Sequence, residues 1–235
     1  MCWRTWIGGL SAVAAASCVG VGPASAGSVA VLGGQTSVLL DTATLAGAAS
    51  LNLSGVSDDV IVPGELGSGS VAFGINSRTD TPATTFAYDP ADFLGTFSGA
   101  IEHTGSVFFN DDAVEVGDFT IGFDAARAGG DASGFFVEST TGIAAVLFDI
   151  AAPSLLEAGT ESLVIEADLL VSAEFGAFLF DNGLSASNLT GADVGDARVS
   201  ASTIPSPSAV AGGLVGLALL ASRRRRAEIA GIAEG

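Results

Sequence analysis

Few side chains in this sequence could carry acid–base or nucleophilic chemistry. His103, in the segment 101–105 (IEHTG), is the only histidine among 235 residues. A serine nucleophile needs a histidine base beside it, and no Gly-x-Ser-x-Gly turn accompanies this one. Zinc also lacks its usual nitrogen and sulfur ligands, because both cysteines, Cys2 and Cys18, lie near the N-terminus. We therefore predict that His103 is a surface residue between a strand and a turn, and that the protein is not an enzyme.

Acidic side chains supply most of the remaining chemistry. Residues 27–203 hold 24 of the 26 acids and three of the arginines, which gives a formal charge of −21, and the chain has no lysine. A surface of this charge repels nucleic acid and attracts divalent cations. Hard cations such as Ca²⁺ prefer several oxygen ligands from acids in loops. One acidic cluster is thus a candidate calcium site: Asp111, Asp112, Glu115 and Asp118. Its spacing matches no EF-hand loop, and the alternative is that these acids are turn residues and strand-edge charges.

Paired carboxylates would also permit glycoside hydrolysis, which needs only two acids at a suitable separation. A secreted carbohydrate-active enzyme is therefore the alternative function from a different class. A deep groove lined by two facing carboxylates would favour that enzyme. A closed fold with scattered acids would favour a structural or binding role.

The segments that must position these side chains follow a β pattern. Hydrophobic and polar residues alternate in 114–123 and in 163–169, as in half-buried strands. Gly117-Asp118 shifts the phase of the first run and predicts a turn or bulge. Gly, Asn, Asp, Ser and Pro interrupt such runs every 8 to 12 residues or so, a spacing typical of sandwiches and barrels. We predict an all-β domain, most simply a two-sheet sandwich or jelly roll.

One segment departs from this pattern. In Ala173–Phe180 the apolar side chains Phe175, Phe178 and Leu179 fall at helical spacing. Ser172 is suited to cap the start of a helix, and Asn182-Gly183 is suited to end it. The segment is the one helix candidate of the domain, with a further strand as the alternative.

The N-terminal segment is typical of a secretory signal peptide. Arg4 precedes the apolar stretch Ile7–Val21, and Ala24-Ser25-Ala26 places small side chains where signal peptidase requires them. We predict cleavage after Ala26, which removes both cysteines and leaves a domain without a disulfide. Lipid attachment at Cys18 is the alternative.

The C-terminal segment has the features of a membrane span. Pro205-Ser206-Pro207 precedes the apolar stretch Ala209–Ser222, and four basic residues follow it: Arg223, Arg224, Arg225 and Arg226. From Ile204 to Ser222 a helix would extend about 28 Å, close to the ~30 Å of a hydrocarbon core. The positive-inside rule places the arginines in the cytoplasm and the acidic domain outside. We predict one apolar transmembrane-type helix here.

This order of parts resembles the PEP-CTERM sorting domain over roughly the last thirty residues. The resemblance implies recognition by an exosortase-like transpeptidase and delivery to the cell surface or extracellular matrix. Two features depart from the family pattern: Ser206 occupies the position of its central glutamate, and the chain continues beyond the arginines as Ala227–Gly235. The alternative is a plain single-span tail anchor.

Together these observations predict four segments: a signal peptide (1–26), an acidic β-domain (27–203), a sorting and anchoring segment (204–226) and a short extension (227–235). The predicted function is that of an exported, non-catalytic surface or matrix protein. Its expected partners are signal peptidase, the transpeptidase, the membrane and extracellular polysaccharide, without nucleic acid. No cofactor is expected other than the candidate calcium ion.

Overall fold

A computed structural model describes residues 27–206 of the chain. Several predicted features lie outside these residues: the signal peptide with Ala24 and Ala26, Pro207 and the apolar stretch, the four arginines 223–226, and the extension 227–235. Within residues 27–206, no helix is long and apolar enough to cross a membrane.

Strands dominate the described residues, with three short α-helices and one 3₁₀ turn between them. The helices are α1 (Thr42–Ala49), α2 (Phe93–Thr96) and α3 (Ala173–Asp181), and the 3₁₀ turn is Ala125–Arg127. The strands are β1 (Val29–Leu40), β2 (Leu53–Val56), β3 (Val71–Ile75), β4 (Ala87–Tyr88), β5 (Ile101–Glu102), β6 (Ser106–Phe109), β7 (Val114–Phe123), β8 (Ala132–Gly142), β9 (Ala145–Ala151), β10 (Leu155–Ala158), β11 (Ser162–Val171) and β12 (Asp193–Pro205).

The strands pair in one antiparallel sheet that curls until it closes. Its main path runs β2-β6-β7-β8-β9-β11-β12-β1-β3. The gap between β3 and β7 is closed by β5, which pairs with β7 and meets β3 through a bridge between Ile75 and His103. The amide of Asn76 adds a 2.8 Å hydrogen bond to the carbonyl oxygen of Glu102 at the same junction. The result is a closed ring of strands with one inner face.

The all-β prediction is confirmed. The two-sheet arrangement that we predicted is not found among the described residues. Their strands belong to a single sheet, which curls so that its own apolar face encloses the core. The buried side chains of this inner face form one hydrophobic cluster, which includes Val31, Leu147, Leu163, Leu169 and Leu179. Residues 27–206 thus contain one sheet with its own hydrophobic core, the property expected of a domain that folds by itself.

Local sequence explains several elements of this sheet. The alternation in 114–123 forms β7, and the predicted irregularity at Gly117-Asp118 is confirmed. Asp118 has φ 47°, a left-handed backbone conformation, while the register with β8 continues unchanged from Gly117 to Phe119. Gly117 itself is needed because a Cβ there would lie 2.2 Å from the Ser106 hydroxyl. β7 pairs with β6 before Asp118 and with β5 after it, so the left-handed residue lies where the strand changes partner.

The predicted helix is also confirmed, as α3. The Ser172 hydroxyl accepts a 3.0 Å hydrogen bond from the amide of Phe175 and so caps the first turn. The helix ends with Asn182 as its C-terminal cap. Buried Phe175 and Leu179 face the core, so α3 covers part of one end of the sheet.

Both ends of the domain leave the ring side by side. Val29 at the start of β1 pairs with Pro205 at the end of β12, two residues beyond the predicted boundary at 203. The Ser206 amide donates a 2.8 Å hydrogen bond to the carbonyl oxygen of Ser28. Of the predicted sorting motif, Pro205 therefore belongs to the last strand and Ser206 follows it directly.

Candidate functional site

The curled sheet encloses a cavity of about 540 Å³. Its walls are the inward side chains of the ring strands, together with residues of α1, α2, α3 and the connecting loops. The polar lining residues are Thr36, His103 and Ser133, and every other lining residue is apolar. Pockets of about 300–1,000 Å³ with apolar walls and a few polar groups are typical of sites for small molecules. This cavity is the candidate functional site.

One end of the cavity opens to solvent through an apolar rim, which we call the mouth. Its exposed lining residues are Leu94 (73% exposed), Phe123 (42%), Leu156 (37%) and Pro153. Three aromatic rings continue the rim inward, and their centroids are 4.8 to 5.1 Å apart: Phe97, Phe123 and Phe135. Exposed apolar residues grouped around a cavity commonly mark a binding site.

His103 lies in the cavity wall, and both of its ring nitrogens are occupied. Nδ1 is 3.0 Å from the carbonyl oxygen of Phe119, and Nε2 is 2.7 Å from the hydroxyl oxygen of Thr36. A carbonyl only accepts, so Nδ1 must carry the proton and donate it. Nε2 is then the acceptor, and the Thr36 hydroxyl donates to it. This pair satisfies two polar groups inside an apolar wall.

The prediction that His103 is a surface residue is wrong, since only 2% of it is exposed. Residues 101–103 are extended and alternate in direction. Ile101 and His103 face the cavity, and Glu102 points outward, where it accepts a hydrogen bond from the Thr120 hydroxyl. Burial lowers the pKa of His103 to about 4, with the hydrogen bond to Phe119 acting in the opposite direction. The imidazole is therefore uncharged at neutral pH.

The candidate calcium ligands have other hydrogen-bond partners. Glu115 accepts a 2.7 Å hydrogen bond from the Ser106 hydroxyl, and Asp118 accepts a 2.6 Å bond from the Thr141 hydroxyl. Asp118 also receives a bond from the amide of Gly105.

Asp111 and Asp112 lie in the turn between β6 and β7, with φ 56° and 66°. Their amides contact the Ser54 hydroxyl at 2.8 and 3.4 Å, which fits the turn-residue alternative. In the described part of the chain, no group of three or more His, Cys, Asp or Glu side chains is placed to hold a metal ion. Calcium binding stays a prediction.

Beside the mouth, Arg127 joins three elements. Its Nε donates to Asp149 of β9 at 2.7 Å, and its two terminal nitrogens contact the Glu174 carboxylate of α3 at 2.7 and 2.8 Å. The guanidinium also lies 5.6 Å from the ring centre of Phe136. Its hydrogen bonds lower the pKa of Glu174 to about 2. Arg127 thereby fixes the 3₁₀ turn after β7 to the sheet and to α3.

Sequence reasoning did not identify the cavity or its mouth. The segment between β4 and β5 is apolar at Phe93, Leu94 and Phe97, but its sequence does not show that these residues line a cavity. The aromatic residues Phe97, Phe123 and Phe135 come from three separate segments, and only the closed ring brings them together.

No known family model matches the chain, and no curated protein matches its sequence. Two solved structures share part of its backbone arrangement. The C-terminal domain of HtaA from Corynebacterium glutamicum is 14% identical with a TM-score of 0.45, and covers 74% of this chain and 99% of its own. The N-terminal domain of the same protein is 17% identical with a TM-score of 0.40 and the same coverage.

Proposed function

We propose that this protein is an exported, non-catalytic binding protein of the cell surface or extracellular matrix, whose domain holds an apolar small molecule inside the curled sheet. A PEP-CTERM-like tail delivers it, through an exosortase-like transpeptidase. The single observation that carries the binding role is the apolar cavity of about 540 Å³ with an open apolar mouth.

The cavity supports binding because its walls are already formed. Strands of a closed ring hold most of the lining residues from both sides, so a ligand would not have to order the site. The buried area available to the ligand is almost wholly apolar, and burial of apolar surface contributes about 25 cal/mol per Å². An apolar molecule thus gains free energy by leaving water, and the protein loses little conformational freedom.

The chemistry of the lining fits binding better than catalysis. Glycoside hydrolysis needs two carboxylates facing a substrate, and none of the lining residues is acidic. His103, the one base in the wall, is held by Thr36 and Phe119. Polysaccharide, the ligand class expected from the sequence, would need polar groups that these walls do not offer. A polysaccharide would therefore have to bind the outer surface.

The experiment is a titration of residues 27–206 with N-phenyl-1-naphthylamine, an uncharged dye whose emission rises in apolar surroundings. Saturable binding of one dye molecule per chain is expected. Ala167→Leu enlarges a buried lining residue of β11, so it should weaken dye binding at least tenfold. Ala113→Leu makes the same change at an exposed position in the turn between β6 and β7, and should bind as the wild type does.

Absence of saturable binding, or equal binding by the two leucine variants, would show that the cavity is not a ligand site. Circular dichroism of each variant establishes that the fold is retained. A dye titration repeated with added polysaccharide separates the two ligand classes, because only a ligand of the cavity displaces the dye.

A further inference from the structure

We infer that the cavity takes an electrically neutral, water-insoluble molecule and rejects an anionic amphiphile of the same size, such as a fatty acid. This rests on the proposed function and names the ligand class. A fatty acid and a neutral isoprenoid alcohol both suit apolar walls, so the walls alone do not separate them. The distribution of charge in and around the site does.

Inside the cavity nothing could neutralise a carboxylate. No lining residue carries a charge at neutral pH, and His103 uses both ring nitrogens within the protein. Moving an unpaired carboxylate from water into such surroundings is strongly unfavourable, so the group would remain outside. The carboxylate of a bound fatty acid would thus have to lie at the mouth.

At the mouth the nearby charges are negative. Three of the four exposed rim residues have an exposed acid within two residues along the chain: Asp92 before Leu94, Asp124 after Phe123, and Glu157 after Leu156. A carboxylate held there would be repelled by these like charges. Salt weakens this repulsion without reversing it.

The arginines of residues 27–206 do not offset these acids. Arg127 is bound to Asp149 and Glu174, and Arg198 is bound to Glu65 and Glu166. Arg78 is exposed in the loop between β3 and β4 and is not a lining residue. A ligand with an anionic head would therefore find no arginine in the rim to pair with it.

The test compares three probes that share one skeleton of about twenty carbon atoms, a size suited to a pocket of this class. They are retinol, which is neutral, retinoate, which is anionic, and methyl retinoate, which restores neutrality. Residues 27–206 contain no tryptophan, because Trp3 and Trp6 both precede Gly27. Binding is therefore followed by the shift of each probe's own absorption band, which lies at longer wavelength than the absorption of Tyr88. Cooperative urea unfolding of the sample checks its fold beforehand.

At pH 7.5 retinol and methyl retinoate should bind with similar Kd, and retinoate should bind at least tenfold more weakly. Retinoate binding as tight as retinol would overturn the inference while leaving the proposed function intact. In that case Arg78→Gln would show whether this arginine holds the carboxylate. Binding of none of the three, with no dye binding either, would overturn both.

Discussion

Protonation of His103 should oppose folding, and its effect can be isolated by replacing this one residue. The native pKa of about 4 lies below the ordinary value of 6.5, so the unfolded chain binds this proton more readily than the folded one. Stability therefore falls as the pH drops from 6.5 towards 4. A tenfold difference in proton affinity corresponds to about 1.4 kcal/mol, so protonation of His103 lowers the free energy of unfolding by about 3 kcal/mol in total.

The change to make is His103→Gln, which keeps an acceptor for Thr36 but does not titrate. Urea unfolding of both proteins at several pH values between 7 and 4 gives two curves of free energy against pH. Their difference removes the contribution of the carboxylates, which both proteins share. The wild type should lose about 3 kcal/mol relative to the variant across this range.

A second measurement is unambiguous because the chain has a single histidine. The imidazole C2 proton of the folded domain should keep one chemical shift from pH 7 to about 5. A titration midpoint near 6.5, or parallel free-energy curves for wild type and variant, would refute the reasoning. Either result would mean that water reaches the ring.

Further predictions concern stability. Arg127→Gln should lower the free energy of unfolding by about 2–3 kcal/mol, because two carboxylates lose their partner. The Arg198 side chain is more exposed, so Arg198→Gln should lower the same quantity by under about 1 kcal/mol. Burial and the facing carboxylate of Asp168 raise the pKa of Asp196, so its charged form opposes folding at pH 7. Asp196→Asn removes this charge and should raise the melting temperature at pH 7. The gain should vanish below pH 3.8, where the aspartate is protonated in both the folded and the unfolded chain. Gly34→Ala should lower the free energy of unfolding by at least about 2 kcal/mol in thermal melts, because its Cβ would lie 2.2 Å from a backbone oxygen of β12. The control Gly74→Ala has open space around its Cβ and should lower the same quantity by under about 1 kcal/mol.

The sequence predicts the parts of this fold that depend on neighbours along the chain. Alternation identifies β7, the phase shift identifies its left-handed residue Asp118, and the serine cap identifies α3. Ring closure is different, because it depends on β5, a strand of two residues whose partners are β3 and β7. Two residues are too few to show a period.

The same limit explains what was missed at the site. Alternation tells which side chains point inward, but not whether opposite walls touch or leave a space between them. That depends on the curvature of the sheet and on where its edges meet. The sequence places His103 at the surface because Thr104-Gly105 after it favours a turn, whereas its inward direction follows from its pairing with β7.

The direction of the mouth follows from the path of the chain. Antiparallel pairing puts the start of β1 and the ends of β7, β9 and β12 at the same end of the ring, and the mouth lies there. From Pro205, the last residue of β12, to the start of the apolar stretch at Ala209 is four residues, at most about 14 Å. A tail in the membrane would thus hold the mouth close to the lipid surface, where neutral insoluble molecules dissolve.

Residues 27–235 lack cysteine, so single labels can test this orientation. In liposomes carrying a lipid-bound quencher, a fluorophore on Leu94→Cys at the mouth should be quenched strongly. One on Ala113→Cys lies at the opposite end of β7, a strand of ten residues or about 30 Å, and should be quenched weakly. Equal quenching at the two positions would mean that the tail does not orient the domain, and the ligand would then have to reach the mouth through water.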